Sequence, residues 1–212
     1  MPYLSESQRA RGGKALRPNS QERKRYMIRR LFRGTPTVPS ERLYGQIVAQ
    51  ARQPWLYTAA GVADTVEGRF DMIVLHAFLV IERLGGGGDA ARALAQSVFD
   101  EMFKDMDRSL REMGASDIGV GPKVRRMAEA FYGRSRVYAE ALQREGEAQR
   151  QALVAALERN VFAGVAGADA GLLADYVLAE HRALAARPLE RLLSGETGFA
   201  PKPEPEASLS HA

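Results

Sequence analysis

The segment from Asp64 to Gly114 constrains the fold more than any other part of this 212-residue chain. Its pattern predicts two long helices joined by four consecutive glycines, Gly85 to Gly88. The first helix carries apolar residues at spacings of three and four from Phe70 to Leu84, and further apolar residues cover most of its remaining surface. A helix that is apolar on nearly every side is enclosed by other helices. We therefore predict a helical bundle with a long, buried central helix.

The polar residues of this central helix are its most informative members. On a helical wheel His76 and Arg83 lie within two turns of each other. A buried polar group without a hydrogen-bond partner costs about 1 to 3 kcal/mol, so each must find a partner or reach solvent. We expect His76 to be a hydrogen-bonded histidine of the core.

The remaining segments also show helical periodicity, and none shows the alternation of a strand. A first helix is predicted from about Pro39 to before Pro54, followed by a plug around Trp55. Asp64 or Thr65 is predicted to cap the central helix, and Asp89 the second long helix. A loop over residues 115–122, with Asp117 as a possible cap and Pro122 as the helix opener, leads to a third long helix from Lys123. Three further helices are predicted over residues 147–161, from Leu172 to about Ala186, and after Pro188.

These elements predict an all-α protein with one helical domain at residues 36–194, a basic and largely flexible arm at residues 1–35, and a disordered tail at residues 195–212. The arm holds ten Lys and Arg residues against two Glu, while the whole chain has a net charge of only +4. Three interpretations of the arm stay open, namely a flexible segment without a partner, contact with an anionic membrane, or contact with nucleic acid or the ribosome. An Arg-rich leader of this kind also fits an organellar transit peptide. The basic residues that would make a membrane or ribosome contact are Arg23, Lys24, Arg25, Arg29, Arg30 and Arg33.

Several classes of function lack support in the sequence. The chain has no cysteine, which excludes disulfides, thiolate metal ligands and a cysteine nucleophile. The glycine run is not a phosphate loop, because no strand precedes it and no Gly-Lys-Ser/Thr follows it. The longest apolar run, Met72 to Ile81, is much shorter than the roughly 20 residues that span a bilayer. We expect a soluble protein with no cofactor, no catalytic residues and no enzymatic activity.

The predicted helical bundle could hold a metal site, because such bundles bind di-iron centres through Glu and Glu-x-x-His pairs. The candidate ligands are His76, Asp100, Glu101 and Asp105, but neither His76 nor His181 belongs to a Glu-x-x-His pair. We therefore expect no metal. A stripe that includes Met102, Met106 and Met113 predicts either core packing or an adaptable groove for a partner.

Two blocks of sequence, DTVEGRFDMIVLHAFLVIERL and FDEMFKDMDRSLREMGASDIGVGPKVRRMAEAFYGR, resemble the ubiquinol-cytochrome c chaperone family. The resemblance covers about residues 40 to 185. It implies an all-helical, non-enzymatic chaperone that holds newly made cytochrome b, or an early assembly intermediate, until it joins respiratory complex III. It also implies a cytoplasmic protein at the inner membrane, on the matrix side in mitochondria, where relatives work with a small partner protein near the ribosome.

Carried onto this chain, the resemblance marks candidate partner-binding residues, although helix capping or helix pairing would explain most of them equally well. They are Asp64, Phe70, His76 and Arg83 in the first block, and Asp107, Arg111, Glu112, Asp117, Lys123, Arg125, Tyr132, Gly133 and Arg134 in the second. Two rival functions remain open. One is a nucleic-acid or ribosome binder acting through residues 1–35, and the other is a metal-dependent helical-bundle enzyme.

Overall fold

The computed structural model describes residues 38–114, 116–163 and 169–200. These residues form helices and connections without a strand, which confirms the predicted all-α class. The helices are α1 (Val38–Ala51), α2 (Pro54–Thr58), α3 (Val66–Gly85), α4 (Asp89–Glu112), α5 (Asp117–Leu142), α6 (Gly146–Asn160), α7 (Ala170–Ala186) and α8 (Leu189–Leu193). No helix among them combines the length and hydropathy that crossing a bilayer requires.

Helix α3 lies at the centre of the bundle, as its apolar pattern predicts. Every residue from Met72 to Val80 is buried, and α3 packs against α1, α4, α5 and α7. Thr65 is its cap, because the Thr65 hydroxyl accepts a hydrogen bond from the Gly68 N–H at 3.1 Å. Asp64, the alternative cap, instead pairs with Arg69 at 2.7 Å on the surface.

The turn before α3 packs so closely that Gly68 leaves no room for a side chain. A Cβ atom at this position would lie 2.0 Å from the carbonyl oxygen of Ala63. The glycine therefore allows the chain to fold back against the first turn of the central helix.

Two predicted helix starts are wrong. Helix α4 is capped by Gly88, while Asp89 is its first residue and pairs with Arg92 at 2.6 Å. Helix α5 begins at Asp117 rather than Lys123, so Pro122 lies inside the helix. Proline removes one helical hydrogen bond there, but the buried side chain of Val120, which is 0% exposed, packs the first turns against the bundle.

Helices α4 and α5 pack through an aromatic cluster and two buried methionines. The ring of Phe99 lies 4.6 Å from that of Phe103 and 5.2 Å from that of Phe131, measured between centroids. Met102 and Met106 are 0% and 7% exposed and belong to the core, whereas Met113 is 57% exposed. The interpretation of the methionine stripe as a surface groove is therefore wrong for Met102 and Met106, because their helix face is covered by neighbouring helices.

The chain after α8 returns to the bundle. We call residues Gly195–Ala200 the strap. Thr197, in its middle, is only 1% exposed, so the predicted disordered tail does not begin at Gly195. Polar side chains of the bundle hold the strap through its main chain, which hydrophobic patterning does not detect. The rest of the predicted tail, residues 201–212, and the predicted arm with its six basic contact residues lie outside the described residues.

Candidate functional site

The main buried polar feature is a chain of hydrogen bonds that links α1, α7 and α3. The Gln50 amide donates to the Tyr176 hydroxyl at 2.9 Å, and Tyr176 Oη lies 2.8 Å from His76 Nε2. His76 Nδ1 lies 2.7 Å from the carbonyl oxygen of Met72. A carbonyl only accepts, so Nδ1 carries the proton and Nε2 accepts from the tyrosine.

Burial fixes His76 in its neutral form. It is 0% exposed, and this desolvation lowers the pKa of His76 to about 4, although the bond to the Met72 carbonyl acts in the opposite direction. Both ring nitrogens are already engaged. His76 is therefore a hydrogen-bonded residue of the core, and it has no free nitrogen for a ligand.

The candidate metal ligands from the sequence do not form a metal site. Asp100 accepts a hydrogen bond from Gln96 at 2.8 Å, and Glu101 lies 3.8 Å from Lys104. Asp105 accepts from the Tyr44 hydroxyl at 2.8 Å. Across the described residues, no group of three His, Asp or Glu side chains is placed to hold a metal ion.

A groove lined by α1, α3 and α7 holds the strap. We call it the strap groove. The side chains that contact the strap are Gln46, Gln50, His76, Glu180 and Arg187, and Tyr176 bonds to two of them, Gln50 and His76. Gln46 donates to the carbonyl of Gly195 at 2.7 Å and accepts from the N–H of Thr197 at 2.9 Å. Gln50 donates to the carbonyl of Ala200 at 3.0 Å. The bundle thus holds the strap mainly through main-chain groups of the strap, whose path bends at Gly195 and Gly198.

Aromatic rings complete the floor of the strap groove. Phe199 packs edge-on against His76, with ring centroids 5.5 Å apart, and Trp55 packs edge-on against Tyr176 at 4.8 Å. Burial raises the pKa of Glu180, whereas its bond to the N–H of Ala200 and the nearby Arg187 act to lower it. One carboxylate oxygen of Glu180, Oε2, has no hydrogen-bond partner among the described residues.

Arg83, on the same helix as His76, contacts the far end of α7. Its guanidinium donates to the carbonyl of Leu184 at 2.9 Å and to that of Arg187 at 3.1 Å. These carbonyls belong to the last turn of α7 and the residue that follows it, where a cation is favourable. The structure therefore places His76 and Arg83 against one helix, in agreement with their proximity on the helical wheel.

Phe70 and Arg134 come together in a second polar cluster between α3 and α5. The Arg134 guanidinium lies 6.0 Å from the centre of the Phe70 ring, and its Nη1 lies 2.7 Å from Oδ1 of Asp71. Burial raises the pKa of Asp71 to about 6, even though Arg134 acts to lower it. Asp71 is not among the predicted site residues, although its place on a buried helix signals the need for a charged partner.

The other predicted site residues lie at or near the surface. Asp107 and Arg111 form an ion pair at 2.7 Å on the outer side of α4. Tyr132 is half-buried and stacks on Phe99 with centroids 5.3 Å apart. The exposed members are Asp64, Glu112, Lys123, Arg125 and Gly133. Asp117 is the first residue of α5.

The described residues form an all-helical bundle that holds its own strap through main-chain hydrogen bonds. The sequence profile of the family described as Ubiquinol-cytochrome C chaperone matches residues 58–199, and the chain belongs to that family. The crystal structure of the Cbp3 homolog from Brucella abortus is similar, with a TM-score of 0.70 and 36% sequence identity. That match covers 85% of this chain and 96% of the homolog. No curated protein matches the chain.

Proposed function

We propose that this protein is an assembly chaperone that binds newly made cytochrome b and promotes its incorporation into respiratory complex III, without catalysing a reaction. The observation that carries the proposal is the family match over residues 58–199, which runs from the last residue of α2 almost to the end of the strap. The match therefore includes the central helix, the α4–α5 hairpin and α7, whereas Gln46 and Gln50 of the strap groove lie before it. A chaperone for a membrane subunit fits action close to the inner membrane.

The arrangement of the buried polar groups supports a binding role. The imidazole of His76 is neutral and uses both nitrogens within the core. Asp71 is paired with Arg134, and Arg83 caps α7. These side chains use their polar atoms to bond one helix to another, so those atoms are not free to act on a substrate.

We propose that the client contacts the tip of the α4–α5 hairpin, which we define as Asp107 to Met113 together with Lys123 and Arg125. The turn between the two helices brings these residues to one end of the bundle. Met113 is 57% exposed, and flexible thioether side chains adapt to varied apolar partners. The charged residues around it would supply a polar rim.

Gly133 extends the proposed client surface along α5. A glycine inside a helix costs roughly 1 kcal/mol relative to alanine. A Cβ atom at Gly133 would have no neighbour within 4 Å, so the bundle does not need this glycine for close helix packing. The missing side chain at Gly133 would instead allow a client to pack closely against α5.

Capture of cytochrome b during its synthesis tests the proposal directly. The full chain would be immobilised and exposed to newly translated cytochrome b, comparing Arg125→Glu with Arg159→Glu. Both arginines are exposed on helices, and neither has a hydrogen bond or ion pair in the part of the chain that is described. We expect Arg125→Glu to lower capture at least fivefold and Arg159→Glu to leave it unchanged. Equal capture by both variants would remove the hairpin tip from the proposal.

Deletion of the gene tests the function without reference to any surface. We expect complex III to fall while the other respiratory complexes stay near normal. Unchanged complex III would refute the proposal.

Elemental analysis of the purified protein separately tests the rival interpretation of a metal-dependent enzyme, which requires a stoichiometric metal ion.

The basic arm suggests how such a chaperone would be kept near its client. We propose that residues 1–35 contact the anionic surface of the inner membrane, where each Lys or Arg contributes about 1 kcal/mol. Co-flotation with anionic vesicles should weaken steeply with salt and disappear without the arm. Binding of the arm to RNA or ribosomes in place of vesicles would favour the rival interpretation.

A further inference from the structure

We propose that Met113, at the tip of the α4–α5 hairpin, is a site of reversible oxidation, and that its sulfoxide weakens binding of the client. The oxidant is a peroxide, which converts the thioether to a sulfoxide. This inference rests on the proposed contact between the client and the hairpin tip, and it adds a means by which that contact is regulated.

Met113 is the most exposed methionine of the described residues. It is 57% exposed, whereas Met72 and Met102 are 0% exposed and Met106 is 7% exposed. Met127 is partly buried. Peroxide oxidises a thioether only where it reaches the sulfur atom, so exposure decides which methionine reacts first. Met113 should therefore react well before the other four.

The composition of the chain also favours oxidation at methionine. The sequence contains no cysteine among its 212 residues. Where cysteine thiolates are present, they compete for the oxidant. Here the methionine thioethers are the only sulfur groups of the chain, so peroxide that reaches the protein has no thiol to consume it.

The reaction is a two-electron oxygen transfer. A lone pair of the sulfur attacks one oxygen of the peroxide, the S–O bond forms, and the O–O bond breaks. With hydrogen peroxide, the departing hydroxide takes the proton from the transferred oxygen and leaves as water. In the reverse direction, methionine sulfoxide reductases return the thioether. Two thiols supply two electrons and two protons, and they yield a disulfide and water.

The position of Met113 separates the effect on binding from any effect on folding. Met113 follows the last residue of α4, Glu112, and precedes Gly114, whose φ is +86°. An oxygen on so exposed a side chain stays in water in the free protein, so the bundle should keep its stability. In the complex an apolar client would cover that oxygen, and burial of a polar group without a partner is unfavourable. Oxidation should therefore weaken capture of the client and leave the bundle folded.

The tip has no second apolar side chain as exposed as Met113. Among the described residues, the other exposed large hydrophobic residues are Val38 and Val66. They are the first residues of α1 and α3, so neither belongs to the α4–α5 hairpin. Conversion of Met113 to a polar sulfoxide thus removes the main exposed apolar contact of the tip.

Oxidation of the full chain by hydrogen peroxide, mapped by mass spectrometry of its peptides, tests the chemistry. In the folded protein we expect the sulfoxide to form at Met113 at least tenfold faster than at Met72, Met102 or Met106. In urea all four should react at similar rates. Circular dichroism and the urea midpoint should not change when Met113 is oxidised. Equal rates in the folded protein would overturn the inference.

Capture of newly made cytochrome b tests the regulation. The chaperone is oxidised, freed of peroxide, and only then exposed to the client. We expect oxidation to lower capture by the wild type at least fivefold, and reductases specific for the two sulfoxide epimers, with dithiothreitol, to restore it. Oxidation should not change the capture by Met113→Leu, which lacks the reactive sulfur. Met127→Leu is the matched control and should stay as sensitive as the wild type.

The same assay distinguishes failure of this inference from failure of the proposed function. Unchanged capture by the oxidised wild type, with capture still lowered by Arg125→Glu, would overturn the inference and leave the client at the hairpin tip. An equal effect of oxidation on Met113→Leu would also overturn it, because another methionine would then be the sensitive one. If the reduced wild type captures no cytochrome b, the proposed function fails and this inference fails with it.

Discussion

The strap groove and the tip of the α4–α5 hairpin use polar residues in opposite ways. In the groove, Gln50, Tyr176 and His76 are buried and hydrogen-bonded in series. At the tip, Asp107 and Arg111 pair across side chains that are 39% and 47% exposed. Buried polar groups are costly to leave unpaired, whereas exposed ion pairs contribute little. Mutations in the groove should therefore affect folding, and mutations at the tip should affect binding.

The largest loss of stability is expected from Tyr176→Phe. Loss of the hydroxyl leaves His76 Nε2 without a donor and removes one acceptor from Gln50, which should lower the free energy of unfolding by about 2 to 3 kcal/mol. Urea unfolding at pH 7.5 measures the change. Tyr57→Phe is the matched control, because its hydroxyl donates to the Ala51 carbonyl at 2.7 Å at a half-buried position. Equal losses of unfolding free energy in the two variants would show that the buried Tyr176 hydroxyl contributes no more than the half-buried Tyr57 hydroxyl.

The next effect is a dependence of stability on pH. The folded protein holds His76 neutral with a pKa of about 4, below the 6.5 of an unperturbed histidine. The unfolded chain therefore binds more protons between these values, and stability falls as the pH is lowered. From pH 7.5 to 5 the loss from this residue should be about 2 kcal/mol.

Asp71 acts in the opposite direction over a similar range. Its folded pKa of about 6 lies above the 3.8 of an unperturbed aspartate. The folded protein therefore binds the extra proton, and the contribution of Asp71 to stability rises as the pH falls. Urea midpoints of the wild type, His76→Gln and Asp71→Asn across pH 5 to 7.5 separate the two residues. Because only Asp71 then contributes, His76→Gln should gain about 1 kcal/mol of stability as the pH falls from 7.5 to 5, whereas Asp71→Asn should lose stability more steeply than the wild type does. Parallel curves in all three proteins would exclude both assignments.

A smaller effect, and a stabilising one, is expected from Gly133→Ala. The new methyl group meets no atom within 4 Å, so the free energy of unfolding should rise by about 0.5 to 1 kcal/mol. Gly45→Ala in α1 is the control, since a Cβ there is equally unobstructed. Both should stabilise the bundle, but only Gly133→Ala should weaken capture of the client. Normal capture by Gly133→Ala would exclude close approach at this point.

The smallest change in stability is expected from Asp107→Asn at the hairpin tip. Loss of this exposed pair should cost only a few tenths of a kcal/mol. Thermal unfolding and client capture measured on one preparation distinguish the two roles. A large loss of stability with unchanged capture would show that the hairpin tip serves folding rather than client binding.

The sequence predicts the helical bundle well because the buried face of each helix requires apolar residues at helical spacing. Residues from Phe70 to Leu84 identify the central helix, and Thr65 is one of two predicted caps. The start of α5 is predicted wrongly because Pro122 normally opens a helix, whereas burial of Val120 extends this one backwards. Local signals therefore place helices better than they place the ends of helices.

The strap groove is not predictable from side-chain patterns. The strap is short, rich in glycine and polar, which is typical of a disordered tail. Its contacts depend on main-chain groups of Gly195, Thr197 and Ala200, which carry no signature in the sequence. Similarly, the ion pair of Asp71 with Arg134 joins residues far apart in the chain. Only the packing of the helices brings such partners together.

The strap begins at Gly195, where the chain packs against the start of α1. A Cβ on Gly195 would lie 3.1 Å from the Cα atom of Pro39 and 3.1 Å from the Cβ atom of Arg42. Because the chain tolerates new ends at exposed turns, a circular permutant is feasible. It would open the exposed connection at Glu145 and join residue 200, which bonds to Gln50, to residue 38 through a flexible linker that spans about 18 Å, the length of α1 between residues 38 and 50. In such a molecule the strap would be part of a closed loop, so it could leave the bundle only as a loop and never from a free end.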